Sequence, residues 1–381
     1  MASESTDIQI RSIPGFRPLL PFTLVVFLSL TSCDLFRPEQ TDPGPPPLFS
    51  ALSTELSATT ITAYPTAPLA AGENQVWCAT FALAWNTMID SIIGEPIQLS
   101  GPDSTQATVT ALNQRIFDAA YLDPASYVAL AGFRDEGICT RIQDALLATF
   151  GDDAPVVAFE PGLPAEVISF AYLLKRLDFE HVFTTIERAL RFNGDPDQKV
   201  RAFGLESDER GGRANAMREQ VIVKGAIGDG YIIEIETLAE SDHLVLAAIE
   251  PEASLLATWQ TVVAIDAAHT DYLLPSGMGL KVPKMNFALE HEFAELIDRS
   301  LLNEGWVDDD YYIKEARQDI RFQLTERGAV LESSAGMTTA PLSSGDIVFD
   351  RPFLLALIEE GAAQPYFLLW IANAELLARV P

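Results

Sequence analysis

The chain has 381 residues, 54 of them Asp or Glu and 25 Lys or Arg, so its formal net charge is −29 and its pI is near 4.3. That balance excludes nucleic-acid binding through phosphates, which needs an excess of Lys and Arg to release counterions. A hydrophobic share of 48% against 21% charged is that of a packed globular protein, and 3 Cys and 4 His without a CxxC or HExxH pair leave little for a metal site, so no cofactor is expected.

Arg11 and Arg17 precede the uncharged stretch Leu19–Leu30, which is too short to span a bilayer and has the length of a signal-peptide core. It runs into Leu30-Thr31-Ser32-Cys33. This order resembles the lipobox of bacterial lipoproteins. The resemblance implies lipidation of Cys33, loss of residues 1–32, and a lipid-anchored chain in the cell envelope facing the periplasm or the exterior; a plain secretory signal with an incidental Cys is the other reading. Asp34 sits where a Gram-negative inner-membrane retention signal would lie. Residues 33–72 hold Pro38, Pro43, Pro45, Pro46, Pro47, Pro65 and Pro68, a density that opposes helix and ladder, and they read as a tether. The folded domain is then expected over 73–381. It holds −26 of the charge, because 1–32 balance at zero and 33–72 contribute −3.

Trp77, Phe81, Trp85, Met88 and Ile92 recur at spacings of 4, 4, 3 and 4, which predicts a buried helix face. Val109, Leu112, Ile116 and Phe117 mark a second helix, and Ile142, Leu146 and Phe150 a third. Arg210, Arg213 and Arg218 are interleaved with acids and read as a solvated loop of mixed sign. Residues 230–237 and 243–249 read as a hairpin across a polar turn. Asp308-Asp309-Asp310 lacks calcium-loop spacing and reads as a solvated turn. Ile320, Phe322 and Leu324 share one face of a half-buried strand. The continuous apolar runs 353–358 and 366–372 suit strands covered on both faces and paired as a central hairpin. Helices come mainly first and strands mainly last, an α+β order.

The last hundred residues resemble the C-terminal part of a serpin. Val282-Pro283-Lys284-Met285 with Glu290, Phe293, Leu296 and Gly305 is similar to a Pro-Lys strand leading to an acidic helix that ends at Gly. Ile320 to Ala329 resembles the strand and hinge that open the reactive-centre loop, and Phe349-Asp350-Arg351-Pro352-Phe353 the segment that closes it. Asn74 and the helix after it resemble the family's buried N-terminal helix, with Cys78 near a position where Ser is usual and Gln318 where a His is usual. The resemblance implies a large central, mostly antiparallel sheet with further sheets and an N-terminal group of helices. It further implies a monomer that is no enzyme but a suicide-type inhibitor, its target a chymotrypsin-like, subtilisin-like or papain-like protease.

Loop insertion as a new strand would turn alternate hinge residues into a packed interior. From Glu326 and Gly328, the inward set is Ala329, Leu331, Ser333, Ala335 and Met337, of which Leu331 is bulky where a small side chain is expected. The family's count from Gly328 places the cut at Leu342-Ser343, whereas counting back from Phe349 gives Pro341-Leu342. A loop that is cut without inserting is the alternative, leaving a binding or scaffold protein. A more distant rival is a cysteine peptidase using Cys78, with His181, His243, His269 or His291 as base. Cys78 and Cys139 are also open to pairing in an oxidising compartment.

Overall fold

A computed structural model describes residues 46–227, 230–239, 241–306, 311–330 and 346–380. The chain begins with β1 (Phe49–Leu52), β2 (Thr59–Ile61) and β3 (Asn74–Cys78), then α1 (Thr80–Met88) and α2 (Asp103–Asn113). β4 (Tyr127–Phe133), α3 (Ile138–Phe150), β5 (Val167–Leu173), β6 (Arg176–Asp178), β7 (Thr184–Arg191), β8 (Lys199–Leu205) and α4 (Gly212–Glu219) follow. Next come β9 (Val221–Ile227), β10 (Gly230–Ile235), β11 (Asp242–Ala248), α5 (Leu255–Asp266), β12 (Tyr272–Leu273), β13 (Leu280–Pro283) and β14 (Met285–Glu292). The last strands are β15 (Arg317–Thr325), β16 (Gly328–Val330), β17 (Ile347–Val348), β18 (Phe353–Glu359) and β19 (Phe367–Ile371).

These strands form a five-stranded sheet ordered β1-β14-β15-β16-β6, an eight-stranded sheet ordered β12-β9-β10-β11-β18-β19-β3-β2, a four-stranded sheet ordered β17-β13-β8-β7, and the pair β4-β5. The architecture is α+β, and most neighbouring strands are antiparallel. The expected hairpins form as β10-β11 and β18-β19, the second at the centre of the eight-stranded sheet, where Phe353 to Leu357 and Phe367 to Ile371 are buried. One apolar cluster joins these sheets and includes Trp77, Phe322, Phe353 and Phe367.

Several expectations need correction. Trp77 and Cys78 belong to strand β3, and the helix starts only at Thr80. Trp77 packs edge-on to Phe117, while Phe81 and Trp85 face a separate cluster with Phe293 and Leu296. The second helix stops at Asn113, before Ile116. Among the described residues no helix follows β14: Phe293 and Leu296 are buried at the turn after it, which includes Asp298 at φ +58°, and Leu301 is buried in a bridge to Leu99. Arg218 is buried on α4, its guanidinium donating to the carbonyls of Ala214, Glu206, Glu209 and Met278, so this part of the basic cluster is no solvated loop. Residues 46–72 are folded rather than tether, with β1 and β2 each on a sheet edge. Cys78 and Cys139 are free thiols. Asp308 to Asp310 and Cys33 lie outside the described residues.

Candidate functional site

Strand β15 alternates buried and exposed side chains through Ile320, then is covered on both faces from Phe322 to Thr325. The chain reverses over Glu326 and Arg327 and returns as β16, antiparallel to β15 with Leu324 opposite Ala329. On its other side β16 pairs with β6, Gly328 opposite Asp178 and Val330 opposite Arg176. The first three residues after the turn therefore form a strand inside the sheet, between two older neighbours. Ala329 is 2% exposed, so the inward parity expected for it is met by a small side chain in a packed site. Gly328 has φ +142°, and a Cβ there would lie 2.2 Å from the Leu177 carbonyl oxygen, so only glycine lets β16 approach β6 this closely.

The turn is held from three directions. The amides of Phe183 and Phe179 donate to the carbonyls of Glu326 and Arg327 at 2.9 and 2.7 Å. The Glu326 carboxylate pairs with the ammonium of Lys284, which is fully buried between β13 and β14 and donates to Thr185 Oγ1 at 3.0 Å. A buried charge is tolerated only when paired in this way.

The chain from residue 346 onward is fixed just as firmly to a different sheet. β17 runs parallel to β13 at the edge of the four-stranded sheet. Just before it, Asp346 accepts the Gly279 amide at 3.0 Å and faces Lys281 Nζ at 3.3 Å; Lys281 is 1% exposed and also meets Glu206 at 2.7 Å. The proposed hinge residues Leu331, Ser333 and Ala335 and the reactive centre Leu342-Ser343 lie between these anchors, outside the described residues.

Below the sheet, buried Gln318 donates to the Cys78 carbonyl at 3.0 Å and to Thr80 Oγ1 at 2.7 Å, tying β15 to the start of α1. Burial pushes the Cys78 thiol up, the opposite of what a thiolate nucleophile needs. His243 bonds Glu234, His291 meets Ser53, His269 meets the Ile265 carbonyl, and His181 lies 4.0 Å from Glu180, so each candidate base has another partner.

Sequence reasoning missed Lys175, at the junction of β5 and β6. Asp242 and Glu359 stand directly opposite on β11 and β18, an unfavourable like-charge pair. Lys175 resolves it: its ammonium lies 3.0 Å from Asp242, bonds Glu359, and sits 5.3 Å from the Tyr366 ring centroid. The start of β6 is thereby pinned to the eight-stranded sheet. In the sequence it shows only as the first residue of Lys175-Arg176 after the apolar run 170–174.

The chain is similar in fold to two solved serpin structures. One is thyroxine-binding globulin in complex with thyroxine, at 9% identity and TM-score 0.43, covering 77% of this chain and 97% of that one. The other is native protease nexin-1 with heparin, at 11% identity and TM-score 0.46, covering 79% of this chain and 92% of that one. No protein-family model and no curated protein sequence matches the chain.

Proposed function

We propose that this domain is a serpin-like trap for serine or cysteine proteases, carried at the cell envelope on a chain lipidated at Cys33. The observation that carries the reading is β16, a hinge strand lodged between β15 and β6 while the loop's other end is held in a separate sheet. Continued in the same register, Leu331 would face Phe322, Ser333 would face Ile320, and Ala335 would face Gln318. In this mechanism the protease nucleophile attacks the Leu342 carbonyl and the Leu342-Ser343 amide breaks. Ser343 leaves as a protonated amine, and Leu342 remains as an acyl ester or thioester on the enzyme. Insertion of the freed strand then carries that enzyme along the sheet before water can release it.

A second reading, cleavage without trapping, is favoured by Leu331. Its register partner Phe322 is 2% exposed and stacks on Phe367 at 4.9 Å, so a bulky neighbour there obstructs insertion. Incubation with chymotrypsin, subtilisin and papain followed by denaturing electrophoresis separates the readings. A trap gives a covalent complex and a released fragment beginning at Ser343. Cleavage with no complex contradicts the trap and leaves a binding or scaffold role; a fragment beginning at Leu342 moves the cut to Pro341-Leu342.

A further inference from the structure

The hairpin β7-β8 carries four cations, Arg188, Arg191, Lys199 and Arg201. A chain with 54 acidic and 25 basic residues has carboxylates to spare, and elsewhere the cations use them: Lys175, Lys224 and Lys281 each meet two or more. On this hairpin none of the four side chains has an ion pair or a hydrogen bond among the described residues. The hairpin's own acids do not supply one. Asp195 is spent on the loop, accepting the Asp197 amide at 2.8 Å and Gln198 Nε2 at 3.0 Å, and Glu187 and Asp197 form no ion pair among the described residues. Arg191 stands directly opposite Lys199 in the antiparallel pair. Opposite Cβ atoms lie about 5 Å apart, and like charges so placed destabilise a sheet. Arg201 follows two residues along β8 on the same face as Lys199, half-buried, its Nε enclosed without a partner. Arg188 is exposed in the irregular stretch of β7 between Ile186 and Leu190.

Charged side chains and a bulge on an outer strand deter pairing with another chain, and β7 is the outer strand of its sheet. That accounts for Arg188 and Arg191. It does not account for Lys199 and Arg201, because β8 is an inner strand between β13 and β7. Opposed, unpaired cations beside an enclosed, unbonded donor are the complement of a compact oxyanion, which guanidinium and ammonium groups hold through charge-assisted hydrogen bonds. We propose that the face of β7-β8 at Arg191, Lys199 and Arg201 binds one phosphate group of a small soluble ligand, with Arg188 adding to the local positive potential. The net charge of −29 selects against a larger partner. An extended polyanion or an anionic membrane would also meet the acidic remainder of the molecule, whereas a single phosphate group would not. The site does not depend on the protease-trap reading.

The test titrates inorganic phosphate into the full chain, with chloride at equal ionic strength as the reference, and reads phosphorus NMR line width and amide exchange in β7 and β8. Phosphate is expected to bind saturably and to slow exchange in the hairpin, and chloride, which only screens, to do neither. Arg191→Ser with Lys199→Ser, both at exposed positions, should weaken binding at least about ten-fold, the equivalent of one charge-assisted hydrogen bond. Lys199→Glu supplies Arg191 with a counter-ion from within, so it should raise the melting temperature without phosphate and abolish the phosphate response. A response equal to that of chloride, or one unchanged in both variants, overturns the site. Self-association of the double-serine variant with unchanged phosphate binding leaves edge protection alone and overturns it too. Sedimentation of the full chain carrying Cys33→Ser with phosphatidylglycerol but not phosphatidylcholine vesicles, without a response to free phosphate, would assign the cations to a lipid headgroup and overturn the small-ligand proposal.

Discussion

Lys284 carries its charge with no exposed surface and pairs with the Glu326 carboxylate in the turn between β15 and β16. Removing Glu326 takes a counter-charge from a buried ammonium. Glu326→Ala is therefore expected to lower unfolding free energy by about 3–5 kcal/mol in urea titrations, and Lys284→Met with Glu326→Leu to recover most of it. Equal stability of Glu326→Ala and the parent would contradict the pairing. Two histidines act in opposite directions with pH. The bond to Glu234 raises the His243 pKa, so its contribution is complete below the ordinary value of 6.5 and is lost as pH rises through the folded value. Burial lowers that of His291, whose contribution is present above 6.5 and lost as pH falls. His243→Gln should thus destabilise the protein at pH 5.5 more than at pH 8, read from denaturation midpoints; a pH-independent difference would contradict the assignment.

At the scale of elements, Gly328 tests the hinge strand. Gly328→Val places a branched side chain against the backbone of β6 at a φ of +142°. It is expected to detach β16, seen as faster amide exchange in β6 and at Thr325, and to abolish stabilisation after cleavage. Leu331→Ala should instead accelerate insertion, because a β16 lengthened in the same register would set position 331 opposite Phe322. The strands of the C-terminal half were legible in the sequence because Ile320-Phe322-Leu324 alternates and 353–358 and 366–372 are continuous apolar runs. β3 was hidden because it enters α1 without a break: Ala79 offers no capping side chain, so Trp77 falls by spacing into the helical series. β1 and β2 were hidden by proline-rich composition, since what makes them strands is tertiary, the edges of β14 and β3 together with Asn286 and Glu375. The turns after β14 bury Phe293 and Leu296 at helical spacing without forming a helix, a case of packing overriding pattern. Of the candidate site, Glu326, Gly328 and Ala329 were singled out through the serpin resemblance alone, whereas the buried ion pairs at Lys175, Lys281 and Lys284 join residues far apart in sequence, which no local pattern reports.

At the scale of the molecule, the folded region begins by Pro46 and carries most of the −29 charge, which favours solubility and repulsion from anionic surfaces. β16 and β17 lie in separate sheets, so in the proposed mechanism a cut at Leu342-Ser343 leaves the longer free segment, 331–342, on the β16 side. That asymmetry is the source of the expected work: a strand lengthened between β15 and β6-β5 gains ladder bonds on both of its edges. The most direct measurement is the melting temperature before and after a single cleavage at Leu342-Ser343 with both fragments retained. Insertion predicts a large rise, tens of degrees rather than a few, with new protected amides in β5 and the first half of β15. An unchanged or lower melting temperature would contradict the claim that β16 is the start of an inserting strand.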